Sequence, residues 1–487
     1  MTATSLLGLM NHRNYADDLD IFGPRSLFQL LSSCRTPMGE ERLASWLLRA
    51  SSIREIRDRQ EQVSVATARI DLRERIAVVN AGRKRSIDGA RLIEWGESMS
   101  ILPRLRALIV LLALAFLVSL IVYMNGGPGV FLAVSPIVNI VMLAWLVKRA
   151  NYVVEGLGGA TESAGLGLLS NVIGAIEAEA AADPAFTSRL KGDAASRGIA
   201  RLAMISDWVD SRHNPYSRLA EIPFLFTLQV AYAAESWRRA HGRHLREWID
   251  IVAEMEALLS LAGYAYEHPA DPFPELVEDE SPLFDAIEVA HPLIPRAEAI
   301  SNSLRLANDP RILIVSGSNM SGKSTLMRTV GINTVLAFAG APVRAQRLRL
   351  SPLQIGTCLR HTDSLQEHRS GFYTEALRIR VICDLLDGPS PVLFLFDELL
   401  SGTNSKDRRI AAEGVIRTML ERRAIGMVTT HDLTLTEIAG IFPGQVRNVH
   451  LQDTVENGQM RFDYKLRDGV ITHSNALELM RMIGLDV

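Results

Sequence analysis

Arg311-Ile-Leu-Ile-Val-Ser-Gly317-Ser318-Asn319-Met320-Ser321-Gly322-Lys323-Ser324-Thr325 runs a short apolar strand into Gly-x-x-x-x-Gly-Lys-Ser, with a helical segment behind it. This is the pattern of a phosphate-binding loop, in the strand–loop–helix setting that its chemistry requires. The glycines let the backbone curl so that successive amides point inward at phosphate oxygens, and the following helix adds the positive end of its dipole. Gly317 through Thr325 are therefore the candidate nucleotide-binding residues. Lys323 is expected to reach the β- and γ-phosphates of ATP, and the Ser324 hydroxyl to ligate Mg²⁺.

Two further strands complete the pattern of a P-loop NTPase. Pro391-Val-Leu-Phe-Leu-Phe-Asp397-Glu398 is an apolar run ending in two carboxylates. Its strand would hold Asp397 at the Mg²⁺ shell, directly or through water, and leave Glu398 to polarise the attacking water. Apolar run plus Asp-Glu is by itself often only a strand meeting solvent; coupled to Gly317–Ser324 it becomes specific. Ile425-Gly-Met-Val-Thr-Thr430-His431 ends in a histidine that can sense the γ-phosphate and orient the water. A lone histidine at a strand end is usually structural, so here the surrounding motifs carry the assignment. Ser401-Gly-Thr403-Asn404, just beyond Glu398, resembles the loop that crosses the dimer interface in ATPases of the ABC and SMC type.

At 487 residues the chain is long enough for roughly three domains. A formal charge of -3 gives no overall basic field to advertise nucleic-acid binding. The cysteines, Cys34, Cys358 and Cys383, stand far apart, which suits a reducing compartment and suggests neither a zinc site nor a disulfide framework. No secretory signal is visible. The mean hydropathy of +0.11 is slightly rich for a purely soluble protein. Its source is two apolar runs, Ala107 to Met124 and Val130 to Val147, joined by Asn125-Gly-Gly-Pro-Gly129. Each run is about long enough to cross a bilayer as a helix.

Arg104 and Arg106 precede the first run, Lys148 and Arg149 follow the second, and the turn between them is uncharged. Positive residues stay on the cytoplasmic side. The expectation is thus a two-span hairpin in the cytoplasmic (inner) membrane, with both termini and the ATPase domain in the cytoplasm. The alternative is a buried hairpin in a soluble core, although such helices seldom run so long without a polar stripe. A third apolar run, Ile222 to Ala234, is shorter, carries Gln229, and reads as a buried or interfacial helix. The flanking regions are helical in pattern, as in Asn171–Ala181 and Leu245–Tyr266, and His268–Pro282 is the linker candidate.

The loop resembles that of the MutS family, which reads Gly-Pro-Asn-Met-Gly-Gly-Lys-Ser-Thr and is unusual in placing Asn-Met inside it. Gly340-Ala-Pro-Val343-Arg-Ala345, Ser370-Gly-Phe372-Tyr-Thr-Glu375, the Thr430-His431 pair, Phe462 to Gly469 and Ser474-Asn-Ala476 resemble further segments of that family's ATPase domain. Asp20 to Phe28, Thr36 to Leu47, Ile56 to Gln60 and His291-Pro-Leu-Ile294 resemble its core, lever and ATPase entry. The resemblance covers most of the chain except the hairpin. It implies a homodimer in which each nucleotide lies between one subunit's phosphate loop and the other's signature segment. Ser370 then acts in trans, and Asn319 lies near the γ-phosphate.

The expected architecture is an α/β P-loop NTPase domain of the ABC/MutS type at 268–487. An all-α lever and core region at 1–103 and 150–267 precedes it, interrupted by a transmembrane hairpin at 104–149. The chain begins at the core region, so the family's mismatch-reading domain is expected to be missing; Ser401 stands where arginine is usual, and Gly371 where threonine is. These departures leave ATP binding intact and bear against mismatch recognition. The expected activity is Mg²⁺-dependent ATP hydrolysis that switches the lever arms, with double-stranded DNA as a candidate partner. The alternative is a membrane-anchored, nucleotide-gated scaffold acting on an unknown protein client. A kinase or GTPase is disfavoured because no guanine-selecting motif is present.

Overall fold

In the computed structural model the apolar run ahead of the phosphate loop is a strand, Ile312–Ser316, buried at all five positions. Such a run needs cover on both faces and partners on both edges, the condition of a central strand in a parallel sheet. The structure describes residues 15–49, 51–78, 87–160, 163–183, 194–212, 214–278, 281–318, 320–359, 371–456 and 459–471. The strands in chain order are β1 (Glu275–Leu276), β2 (Phe284–Val289), β3 (Asn302–Leu306), β4 (Ile312–Ser316), β5 (Arg347–Leu350), β6 (Gln354–Cys358), β7 (Val392–Phe396), β8 (Ile425–Thr430), β9 (Val446–Glu456) and β10 (Gln459–Asp468). The three runs expected as strands are thus β4, β7 and β8.

One sheet has six strands in the order β10-β9-β4-β8-β7-β6, parallel throughout except for the antiparallel β9–β10 pair. The other has four, in the order β1-β5-β2-β3. The register sets Ser316, at the end of β4, opposite Thr430 of β8, so the strand leading into the phosphate loop and the strand leading into His431 finish side by side. Phe394 and Phe396 of β7 fill the core beneath, their ring centroids 4.9 Å apart.

The chain forms two compact units, each drawn from separated stretches. The sheet-bearing unit takes Met1–Ser32, Leu43–Ala68 and Ser260–Val487. Its early segments brace the phosphate-loop helix, Lys323–Ala339. Leu19 is fully buried, and Asp18 accepts the Leu359 amide at 3.0 Å. Asp20 lies 3.2 Å from the Arg328 guanidinium. Arg59 donates to the carbonyls of Phe338 and Ala339 at 3.4 and 3.1 Å while its guanidinium lies 4.0 Å over the Trp46 ring. A cation on the last carbonyls of a helix satisfies groups that have no partner within it and complements the dipole. Gly340 ends that helix at φ +81°, and a Cβ there would meet the Arg59 side chain at 3.0 Å. Within the stretch expected as a linker lie β1 and the buried Asp271, which pairs with Arg296 and lies 3.7 Å from Arg344.

The helical unit takes Ser33–Arg42 and Arg69–Leu259. Both apolar runs are helices, Arg106–Met124 and Val130–Ala160. The second continues well past the apolar run's end at Val147, because Leu146, Ala150, Val153, Val154, Leu157 and Ala160 keep one buried stripe at helical spacing. The third apolar run is not one helix but two, Pro215–Phe224 and Phe226–His241, broken at Leu225 in the left-handed region. Trp95 and Trp237 stack nearby, 5.9 Å between centroids, with the Trp95 indole donating to the Val153 carbonyl at 3.1 Å.

Candidate active site

The phosphate loop leaves β4 at Gly317 and enters its helix at Gly322, whose φ of +97° is a left-handed conformation. Glycine adopts it freely, and a Cβ at Gly322 would also stand only 2.8 Å from the Tyr464 ring. No side chain caps the helix at this end, so its first amides have no donor-satisfying partner from a capping residue. The hydroxyls of Ser318 and Ser321 are buried in the loop without a hydrogen-bond partner among the described residues. Lys323 folds back so that its ammonium donates to the carbonyls of Gly317 and Ser318 at 2.9 and 2.8 Å. Burial pushes the Lys323 pKa below the ordinary lysine range, against the pull of Glu398 and Asp397. Uncapped amides, unpartnered hydroxyls and a desolvated ammonium around one loop are the donor set that a polyphosphate satisfies.

β7 and β8 deliver the acidic side. The Ser324 hydroxyl donates to Asp397 Oδ2, and the Thr429 hydroxyl donates to Asp397 Oδ1. Thr429 also accepts the Glu398 amide at 2.8 Å. Glu398 has φ +53° and Leu400 φ +56°, left-handed values that side-chain-bearing residues hold only when their surroundings impose them. The imposing contacts are visible: buried Glu375 accepts the Leu400 amide at 2.6 Å, and buried Arg408 donates to the Leu399 carbonyl at 2.8 Å. The backbone so held aims the Glu398 carboxylate at the loop, 3.7 Å from the Lys323 ammonium, and its other oxygen meets His431 Nδ1 at 2.6 Å.

The structure therefore brings together Gly317, Ser318, Met320, Ser321, Gly322, Lys323, Ser324, Thr325, Asp397, Glu398 and His431. Asn319 and Ser370 lie outside the described residues, as does the closing segment from Ser474. A cavity of about 710 Å³ opens from the loop, within the usual range for a small-molecule site. Its far wall comes from Val289, His291, Ile294, Ile300, Asn302 and Tyr464. Asn302 builds that wall: it donates to the Tyr464 carbonyl at 3.0 Å and accepts the Leu466 amide at 2.8 Å, where the β9–β10 register shifts. Burial, with the nearby Arg328, pushes His291 down to about 4, so it is neutral at ordinary pH. Sequence reasoning assigned no role to Thr429, Asn302 or Tyr464. Only the Thr-Thr-His ending of β8 carried any signal for the first.

Among the described residues no cluster of three or more His, Cys, Asp or Glu is set to hold a metal by itself. Ser324 and Asp397 nonetheless offer two oxygens side by side, which fits Mg²⁺ held jointly by protein, phosphate oxygens and water.

The family model described as MutS domain V matches residues 313–486, from β4 onward. Over 210 residues, 42% of this chain and 26% of the relative, the chain is 33% identical to the endonuclease MutS2 of Thermus thermophilus. Over 255 residues, 51% of this chain and 28% of the relative, it is 28% identical to the DNA mismatch repair protein MutS of Staphylococcus aureus. The chain thus spans little more than a quarter of the length of either relative. The loop, the Asp-Glu strand and the Thr-His strand all fall within the stretch that is similar to MutS domain V.

Proposed function

We propose that this protein is a membrane-anchored MutS-type ATPase that hydrolyses ATP with Mg²⁺ and works as a homodimer. The observation that carries the reading is the Lys323–Glu398–His431 arrangement, set over an Asp397 already held by Ser324 and Thr429. The loop amides and Lys323 would bind the triphosphate. Ser324 and Asp397 would hold Mg²⁺, which supplies charge neutralisation on the phosphate oxygens. Glu398 orients a water against the γ-phosphorus and takes its proton as the new P–O bond forms and the bond to the ADP oxygen breaks. With its Nδ1 protonated, His431 donates to Glu398 and fixes the orientation of that carboxylate.

A steady-state assay tests this directly. Glu398→Ala should bind ATP normally and hydrolyse it about 10²- to 10⁴-fold more slowly. Equal, negligible turnover by wild type and variant would sink the enzyme and leave the nucleotide-gated scaffold. The homodimer draws support from Phe372 and Tyr373, 37% and 52% exposed at the start of the helix Gly371–Leu385, the face that the family places against a second subunit.

The membrane reading rests on the two hairpin helices. Only 11% of either apolar window is buried within the protein, which supports a membrane setting over the core of a soluble unit. Leu114, Val118, Ile121, Phe131, Ile137 and Val141 are exposed around them, an apolar belt that water disfavours and acyl chains satisfy. Arg104, Arg106, Lys148 and Arg149 at one end support an inner-membrane hairpin with the ATPase unit in the cytoplasm. Double-stranded DNA enters as a partner through the relatives' names, and lever-arm switching through the family. Duplex binding across a salt series tests the first: contacts to phosphate must weaken steeply with salt, and no affinity at low salt would leave a protein client as the cargo.

A further inference from the structure

The break at Leu225 has a polar side chain aimed at it from inside the hairpin. Asn139, fully buried, donates from Nδ2 to the carbonyls of Ile222 and Pro223 at 3.0 and 3.1 Å. Those carbonyls belong to the last turn of the helix Pro215–Phe224 and have no partner within it. Pro223 further removes an amide donor from that turn. On the other side of the break, the Glu221 carboxylate accepts the amide and hydroxyl of Thr227 at 3.2 and 2.9 Å and so caps the helix Phe226–His241. Both free ends at the break are thus served by side chains, as a chain interruption away from water requires.

Depth follows from helix geometry. Asn139 is nine residues past Val130 and nine before Lys148, about 14 Å from either end of the apolar span at 1.5 Å per residue. Half of a hydrocarbon core of about 30 Å is the same distance. The two arms of the break return to the charged end of the hairpin. Before it, Arg212 donates to Asn151 at 3.2 Å, just beyond Lys148 and Arg149. After it, Tyr232 donates to the Pro103 carbonyl at 3.0 Å and Arg106 to Ser236 at 3.2 Å. From Leu225 to Ser236 is about 16 Å of helix, again half a membrane.

Resting on the membrane reading above, we infer that residues 215–236 form a re-entrant element. It enters the bilayer from the cytoplasmic face, turns at mid-depth on Asn139 and leaves on the same side. Its uncovered apolar side chains, Leu219, Ile222 and Phe224, meet lipid acyl chains in continuity with the hairpin's belt. Phe224 lies edge-on to Phe116 of the first span, 6.0 Å between centroids. The exposed Arg218 stands about two turns above the break, near enough to the surface for its long side chain to reach the head groups.

The test uses the full chain in phosphatidylcholine–phosphatidylglycerol vesicles, with Cys34, Cys358 and Cys383 replaced. Single cysteines introduced by Ile137→Cys, Phe224→Cys and Tyr152→Cys carry a fluorophore, quenched by lipid-borne spin labels near the head group or the chain end, or by aqueous iodide. The expected result is deep quenching for Ile137→Cys and Phe224→Cys alike, and iodide quenching for Tyr152→Cys. A deep Ile137 label with an iodide-accessible Phe224 label overturns the re-entrant element and leaves the hairpin standing. Iodide access at both positions overturns the hairpin reading and the inference with it. Adding Asn139→Ala should move the Phe224 label toward the shallow quencher, and an unchanged depth would remove Asn139 as the latch.

Discussion

The helices Lys323–Ala339 and Arg106–Met124 are similar in length and opposite in surroundings. The first buries 14 of its 17 residues, although its sequence mixes Lys, Ser, Thr, Arg and Asn with apolar side chains. The second is apolar almost throughout and buries only Ile109 and Ser119 of its 19. Hydrophobicity thus states that a segment leaves water and not what it enters. The phosphate-loop helix is enclosed because sheets and early segments close on it from several sides, and its polar atoms find partners there. Asn333, fully buried, donates to the carbonyls of Ala290 and Thr329 and accepts the Arg344 amide. The hairpin helix offers no such atoms to a protein neighbour around most of its circumference.

The sharpest way to break this comparison is at the enclosed end. Lys323→Ala should weaken ATP binding by about 10²-fold or more, the loss of a buried charge-to-phosphate contact, as read by titration with a fluorescent nucleotide. Because burial depresses that lysine's pKa, the unliganded fold holds its charge at a disadvantage. The same variant should therefore melt no lower than wild type without nucleotide, and a clear fall in Tm would show the ammonium to be structural.

Leu114→Arg probes the other side. Leu114 is 50% exposed near the middle of the first span. On a water-facing surface the change would move stability by less than about 0.5 kcal/mol. Facing lipid it should disfavour insertion by about 3 kcal/mol and deplete the protein from the membrane fraction. Unchanged membrane recovery and stability would break the comparison outright.

Arg59→Ala strips the brace from the enclosed helix and should destabilise the sheet-bearing unit by about 2 kcal/mol in denaturant titration, since it leaves the helix-end carbonyls unserved. The smallest effect is in pH. His291 titrates at about 4 in the fold and at 6.5 when free, so the unfolded chain takes a proton that the folded chain refuses. Its contribution to stability is complete above pH 6.5 and is lost as pH falls toward 4, by at most about 2 kcal/mol between pH 6.5 and 5. His291→Phe should remove that part of the pH slope, and an unaltered slope would show that the imidazole is solvated.

Much of the candidate site was legible because its parts are local. A phosphate loop needs glycine, lysine and serine at fixed offsets in one turn, and Asp397 and Glu398 need a strand end, so the chemistry is written within a few residues. The brace was not legible: Asp18 and Leu359, or Arg59 and Ala339, are hundreds of residues apart and leave no periodic trace. Arg59 reads as any charged residue on a helix face until a carbonyl end arrives beneath it. Tyr464 and Asn302 were missed for the same reason, since the cavity wall exists only where two sheets approach.

By itself the sequence determined the strand–loop–helix with its phosphate-loop pattern, the carboxylates that face it, and the presence of two long apolar segments. Those follow from short-range stereochemistry and from transfer free energy, both properties of contiguous residues. Tertiary structure alone decided that residues 43–68 belong with the sheet-bearing unit, that Glu375 and Arg408 hold Glu398 in its left-handed aim, and that the third apolar run breaks where Asn139 can serve it. Each of these depends on a backbone polar group finding a distant partner, and hydrogen-bond satisfaction across the fold has no signature along the chain.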